Sequence, residues 1–342
     1  MSIDDNLSDP IAQMERVPLL AALMAELKSG ILLFWEAADQ ILRQCGVSLK
    51  APTEATFSLQ KNFFSLLFLY SYQRAGIVRS RRILYAATLQ CLRGMVTGCD
   101  NLLDDEYKQT LDTDIPATGY RFRSVMDIMV SDRVLFQILM DAATRQEIAN
   151  DRVLAAATAS MKTMTRSGVE EAAEEAGITA ILKPEEILQS IHHLKTGILF
   201  QCPWDIPLTI ETADNKDQAP LLEGLYRIGI GCQIMDDIVD MVGDIQARRH
   251  NYVVSLIHHG PNPVEKDRLS KMMNLKNIED GGPLYGNRFP EAIRQAAKIS
   301  HRLLKDGLGA LFSIEHQALV LPAIRFLEES IGVCHLIKEV EK

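Results

Sequence analysis

Alternating strand patterns are nearly absent from the 342 residues, and runs of valine, isoleucine and threonine are short. Helical periodicity dominates instead, which points to an all-α fold. Basic charge is also short. Lysine and arginine number 36 against 45 aspartates and glutamates, a net charge of −9 with a pI near 5.5. That balance argues against a nucleic-acid surface. The six cysteines (45, 91, 99, 202, 232 and 334) form no CxxC pair or close cluster, so they read as reduced, mostly buried thiols of a cytosolic protein. The first ten residues, MSIDDNLSDP, are acidic and lack the basic-then-apolar pattern of a signal peptide. The longest apolar stretch, Phe63 to Tyr70, is interrupted by Ser65 and is too short to span a bilayer. A cytoplasmic protein with no transmembrane segment is expected. No linker, composition shift or low-complexity tract divides the chain, so residues 1–342 read as a single domain.

What the chain does have is carboxylates at the ends of apolar helices. Leu225 to Asp244 reads as one helix with Asp236, Asp237 and Asp240 in its C-terminal half. Asp236 and Asp240 are four apart and share a helix face. Burial would sharpen their repulsion unless a cation sat between them, and oxygen-only ligation suits Mg²⁺. A second copy lies upstream, where Asp100 and Asp104 close another apolar helix beside Asp105 and Glu106. Elsewhere, two apolar segments occupy 11–45 with Gly30 near their junction. Thr53 or Thr56 is placed to cap a helix over 57–75 that ends at Gly76. Arg79, Arg81 and Arg82 open the helix that reaches Asp100, and residues 107–120 form a polar loop. Helices near 121–146 and 150–166 follow, and Glu170, Glu171, Glu174 and Glu175 read as a solvated face. Pro184 starts a helix to about Phe200, broken by Pro203 and Pro207. A loop-rich stretch over 258–289 with GlyGlyPro at 281–283 precedes closing helices near 290–312 and 315–338. The expected architecture is about a dozen helices, the long central ones surrounding a cavity. The adjacent pairs His192–His193 and His258–His259 lack the i, i+4 spacing of a helical zinc site and read as solvated or hydrogen-bonded.

Gly231-Cys-Gln233-Ile-Met-Asp236-Asp237-Ile-Val-Asp240, Lys195-Thr196 upstream of it, and Asp100-Asn101-Leu-Leu-Asp104 share an order and spacing. In these motifs the chain resembles, over about 55–255, the trans-isoprenyl diphosphate synthases, the farnesyl and geranylgeranyl diphosphate synthase family within the class I terpenoid synthases. Asn101 stands where that family has a second aspartate. The resemblance implies an isoprenoid-synthase α-helical bundle that binds an allylic prenyl diphosphate with Mg²⁺, or Mn²⁺, on two Asp-rich motifs. Asp100 and Asp104 would hold ions from one motif, and Asp236 and Asp240 from the other. The metals would act as Lewis acids on the leaving diphosphate. Lys195 would donate to that diphosphate, Thr196 and Gln233 would offer polar oxygens near the carbocation, and Arg248 or Arg249 would supply the basic residue after the second motif. Thr88, Cys91, Met95 and Val96 would line an apolar cavity or simply pack the core. A homodimer is implied as well.

The departures concern the acceptor. Where the family binds isopentenyl diphosphate through a Gly-Gly-Lys-Arg-x-Arg-Pro segment, this chain has Leu59-Gln60-Lys61-Asn62-Phe63-Phe64-Ser65. Lys61 survives for substrate binding, but Asn62 and Phe64 replace arginines. Asp112 and Asp114 occupy the place of an Arg-Arg-Gly-Pro stretch. Each lost charge-assisted hydrogen bond would cost about 1.5–3 kcal/mol. Arg79, Arg81, Arg82, Arg121 and Arg123 are the nearby substitutes. The residues therefore lead first to ionisation of an allylic diphosphate with cyclisation, elimination or capture by an unusual nucleophile, a terpene synthase-like activity. Chain elongation with isopentenyl diphosphate is the alternative, and a non-catalytic partner subunit the second.

Overall fold

The computed structural model describes residues 9–105, 107–211, 218–274 and 288–334. Glu106, GlyGlyPro at 281–283 and the expected last turn to 338 lie outside them. The described residues are helical with no β-strand, apart from an isolated bridge between Leu49 and Thr113. They group into two compact units, Met1–Thr165 with Cys202–Leu221, and Arg166–Gln201 with Leu222–Lys342. The chain passes between them three times, with no composition change to mark the crossings.

In the first unit, Asp9 caps a short helix, Pro10–Glu15, and a 27-residue helix, Pro18–Gln44, follows. This helix runs straight through Gly30, which the sequence reading placed at a junction. The reason is packing: a Cβ on Gly30 would lie 2.4 Å from the Cβ of Ala86 and 2.9 Å from the backbone of Ala86 and Ala87. Glycine is there so that two helices can touch. By length and composition, with a hydropathy of 1.5, Pro18–Gln44 is apolar enough to cross a membrane. It is a longer span than Phe63–Tyr70, though charged residues such as Glu26, Lys28 and Glu36 interrupt it. Its buried positions, including Leu20, Leu23, Leu27, Ile31, Phe34, Ala38 and Leu42, recur every three or four residues. Glu26 among them is held by Arg82, Nε to Oε2 at 2.8 Å and Nη2 to Oε1 at 2.6 Å. Such an inward stripe suits a core helix.

Thr53 and Thr56 form a capping box on a 3₁₀ turn, and Ser58 caps the helix Leu59–Arg74. Gly76, at φ 78°, turns the chain out of it. The helix Arg79–Leu103 lies against Tyr120–Thr144 at Gly94 and Gly98, where a Cβ would strike Ser131 and Ile128. The short segment Cys202–Ile210 completes this core. Trp204 donates from Nε1 to Ser71 Oγ at 2.9 Å, and its ring lies 5.0 Å from that of Tyr72. Tyr72 in turn donates to the Pro203 carbonyl at 2.6 Å. Asn150–Ala173 extends about two turns beyond the expected end near 166.

In the second unit, the segment expected as one helix from Pro184 to Phe200 is α-helical at Pro184–Glu186 and Ile198–Gln201. Ile187–Ile191 and His193–Gly197 between them are π-helical. The central helix spans Ala219–Val239, docked by Gly224 against Gly307 and by Ser300 Oγ donating to the Gly231 carbonyl at 2.7 Å. It does not continue to Asp244 as expected. Asn251 Nδ2 takes the Asp237 carbonyl at 2.7 Å, the acceptor that a continuous helix would offer to residue 241. Asp240 marks the break, and a second helix covers Met241–Ala247. The chain closes with Pro290–Leu311, a 3₁₀ turn at Ile314–Leu319 and Val320–Ile331, stopped by Gly332 in the left-handed region.

Candidate active site

In the first unit, the Arg79–Leu103 helix carries Asp100 and ends at Asp104, whose N–H donates to the Asp100 carbonyl at 2.9 Å. Asn101 is buried and closes the turn behind them. Its Nδ2 donates to the Lys108 carbonyl at 3.0 Å and its Oδ1 accepts the Lys108 N–H at 2.8 Å. An aspartate could make only the second bond, which accounts for an amide there. Asp105 takes a left-handed backbone and binds Tyr120 Oη at 2.6 Å and Arg121 Nη2 at 2.7 Å. Those bonds hold its carboxyl below the usual range.

The acceptor substitutions have local roles too. Asn62 caps a kink, donating to the carbonyls of Thr56 at 2.8 Å and Ser58 at 2.9 Å. Asp112 pairs with Lys50 at 3.1 Å, and Asp114 Oδ1 accepts the Ser48 N–H at 3.1 Å, so these acids anchor the loop after the first motif. Most of the arginines considered as substitutes are committed. Arg82 holds Glu26, with Arg79 3.7 Å from the same carboxylate, Arg121 holds Asp105, and Arg123 is buried on the Thr113 carbonyl. Arg81 lines a cavity of about 530 Å³ with Asn150 and Glu211. The residue that the sequence reading missed is Arg93. Its Nη1 reaches the Lys61 carbonyl at 3.3 Å, placing its guanidinium beside that lysine's backbone. It precedes Asp100 by seven residues, two turns along the same helix face. Thr88, Cys91 and Met95 are buried.

In the second unit, Lys195 and Thr196 lie in the π-helical segment, a distortion that often marks functional sites. Thr196 Oγ1 donates to Gln233 Oε1, and Gln233 Nε2 donates to Asp237 Oδ1 at 3.1 Å. Asp237 is the buried hub: its Oδ2 also meets His192 Nε2 at 2.9 Å and the Tyr252 N–H at 2.6 Å. Asp236 and Asp240 are exposed. Asp244, bonded to Asn251 at 2.8 Å, is pushed up to about 8 by burial and by the nearby Asp237 and Asp240. Lys195 Nζ meets Glu171 and Glu174, each at 3.1 Å. Glu174 is buried, so the run from Glu170 is not wholly solvated as expected. Arg248 donates to the Ile178 carbonyl at 2.9 Å, and the Arg249 N–H to the Asp244 carbonyl at 2.9 Å.

Both aspartate pairs offer only oxygen. Among the described residues no three His, Cys, Asp or Glu side chains converge to hold an ion alone. Asp236 and Asp240 are exposed, one turn apart, beside the buried Asp237 and the partly buried Asp244. The donor set therefore fits a hard divalent ion that completes its shell from water or a phosphate.

Residues 116–252 match the polyprenyl synthetase family model. That span holds Lys195, Thr196, Gln233, Asp236, Asp240, Arg248 and Arg249, whereas Lys61, Asp100 and Asp104 precede it. No curated protein sequence matches. Among solved structures, a geranylgeranyl pyrophosphate synthetase from Pyrococcus horikoshii superposes with a TM-score of 0.57 at 18% identity, over 90% of this chain and 98% of that one. A polyprenyl synthase from Roseobacter denitrificans gives 0.59 at 16%, over 95% and 99%. A geranylgeranyl pyrophosphate synthase from Corynebacterium glutamicum, complexed with isoprenyl diphosphate and magnesium, gives 0.57 at 15%, over 90% and 98%. The fold is the all-α isoprenoid synthase fold.

Proposed function

From the match of residues 116–252 to the polyprenyl synthetase family model, we propose that the chain is a member of that family and transfers the prenyl group of an allylic diphosphate to isopentenyl diphosphate. The family match across Lys195, Gln233 and Asp236 carries this reading. Asp100 and Asp104 of the first unit, and Asp236 and Asp240 of the second, are the carboxylates that would hold Mg²⁺, which would supply the charge that lets diphosphate leave. Lys195 binds the departing phosphate oxygens, and the bonded pair Thr196 and Gln233 presents a fixed polar edge. Asp237, with its four side-chain and backbone partners, holds Gln233 and the start of the Tyr252–His259 helix in place. Arg93 and Lys61 are the cations available to an acceptor diphosphate. The buried, committed Asn62 favours a second reading, terpene formation without the acceptor, because the usual arginine is replaced there by a structural amide.

The test is incubation with Mg²⁺ and geranyl, farnesyl or geranylgeranyl diphosphate, each with and without isopentenyl diphosphate. A longer diphosphate formed only with the acceptor is expected. Hydrocarbon or alcohol formed without it would establish the second reading instead. A chelator should abolish turnover and Mn²⁺ should restore it. Asp236→Ala and Asp100→Ala should each lower turnover by several orders of magnitude with helicity intact.

A homodimer is part of the same proposal. Phe122, Val125, Met129, Phe136 and Met140 are all exposed along one face of the Tyr120–Thr144 helix, and an apolar stripe of that length calls for a partner.

A further inference from the structure

Lys195 Nζ donates to Glu171 Oε2 and to Glu174 Oε2, both at 3.1 Å. Two of its three donors are therefore spent on carboxylates, and the trio carries a net charge of one negative unit. A diphosphate arriving there meets a lysine whose charge is already over-compensated. Together the two acids keep the ammonium charged against its burial.

The two carboxylates are held differently. Glu174 is 4% exposed and Glu171 35%. Glu174 Oε2 also accepts the His250 N–H at 3.1 Å, while its Oε1 is buried with no partner in the protein. Taking Lys195 away from Glu174 would strand a buried charge, which is costly. Glu171 stands at the end of the Asn150–Ala173 helix with a third of its side chain in water, so it can release Lys195 and be rehydrated cheaply.

We propose that Glu171 and Glu174 are positioning residues with opposite duties. Glu174 is the fixed seat of Lys195, and Glu171 is a displaceable arm that fills, in the free protein, the place taken by a substrate diphosphate oxygen. The proposal rests on the reading of Lys195 as the diphosphate-binding lysine. It assigns to Glu171 a role opposite to that of a binding residue: it competes with the ligand.

The probe is inorganic diphosphate with Mg²⁺, titrated calorimetrically into the wild type, Glu171→Gln, Glu174→Gln and Lys195→Met. Glu171→Gln should bind about threefold more tightly than the wild type, the scale of one partly exposed ion pair. Its KM for the allylic diphosphate should fall by a similar factor with kcat little changed. Glu174→Gln should bind at least tenfold more weakly, and Glu174→Asp should recover part of that loss. Lys195→Met binding as well as the wild type would overturn the lysine's role itself. Weak binding by Lys195→Met, with Glu171→Gln no tighter than the wild type, would overturn the displaceable arm alone. Should Glu174→Gln fail to fold, the exposed Glu171→Gln variant still decides.

Discussion

Arg93 and Lys61 are adjacent cations on different helices of one unit, and the acceptor question turns on the first of them. If Arg93 binds the phosphate of isopentenyl diphosphate, Arg93→Met removes a charge-assisted bond of about 1.5–3 kcal/mol. The KM for isopentenyl diphosphate should then rise by about 10- to 100-fold, while that for the allylic substrate stays within twofold. Steady-state kinetics with each substrate varied in turn checks this. Asp127 shows a different effect of burial. It is 2% exposed with Oδ2 unpartnered, and its carboxyl is pushed up to about 6 by burial, against the opposing pull of Thr110 and Arg123. A carboxyl raised above its unfolded value of about 3.9 favours the folded state at low pH, and that contribution is lost as pH rises through 6. Asp127→Asn should therefore match the wild type near pH 4 and exceed it by up to about 3 kcal/mol above pH 7. Urea unfolding across that range measures the difference.

Helix ends show what the chain declares locally and what it does not. Gly76 and Pro184 were legible because caps and stops act within a few residues, whereas Thr53 and Thr56 close a 3₁₀ turn of their own and leave the cap of Leu59–Arg74 to Ser58. The break at Asp240 was not legible, since the amide that causes it belongs to Asn251. Glu174 looked solvated because its partner, Lys195, stands 21 residues on. The aspartate pairs stand out by their i, i+4 spacing, and Lys195 and Gln233 by the family resemblance. Arg93 stands out by neither, although a lone arginine seven residues before Asp100 in an apolar helix was the available signal. Gly30 belongs with the illegible features, because its reason is another helix. Gly30→Ala would gain about 1 kcal/mol of helix propensity. It would also drive a methyl into backbone atoms at 2.9 Å that cannot rotate away. Overpacking should win, with a net loss of about 1–3 kcal/mol in the urea transition.

For the whole molecule, the exposed stripe on Tyr120–Thr144 sets the expectation for assembly. Sedimentation at micromolar concentration should give twice the chain's 38.2 kDa. Met129→Glu with Phe136→Glu should shift it to the monomer, since two charges in an apolar interface would remain unpaired. The interleaving of the two units also governs when each can form during synthesis. The first unit's core needs Trp204 on Ser71 and Tyr72, yet the chain makes most of the remainder of that unit before it reaches Trp204. At about 5–20 residues per second, the roughly 40 residues from Thr165 to Trp204 take about 2–8 s to emerge. For that interval the nascent helices from Pro18 to Thr165 wait with Tyr72 uncovered. A ribosome that stalls in this window holds an open hydrophobic chain, which makes the codons between these positions a determinant of how much protein is recovered.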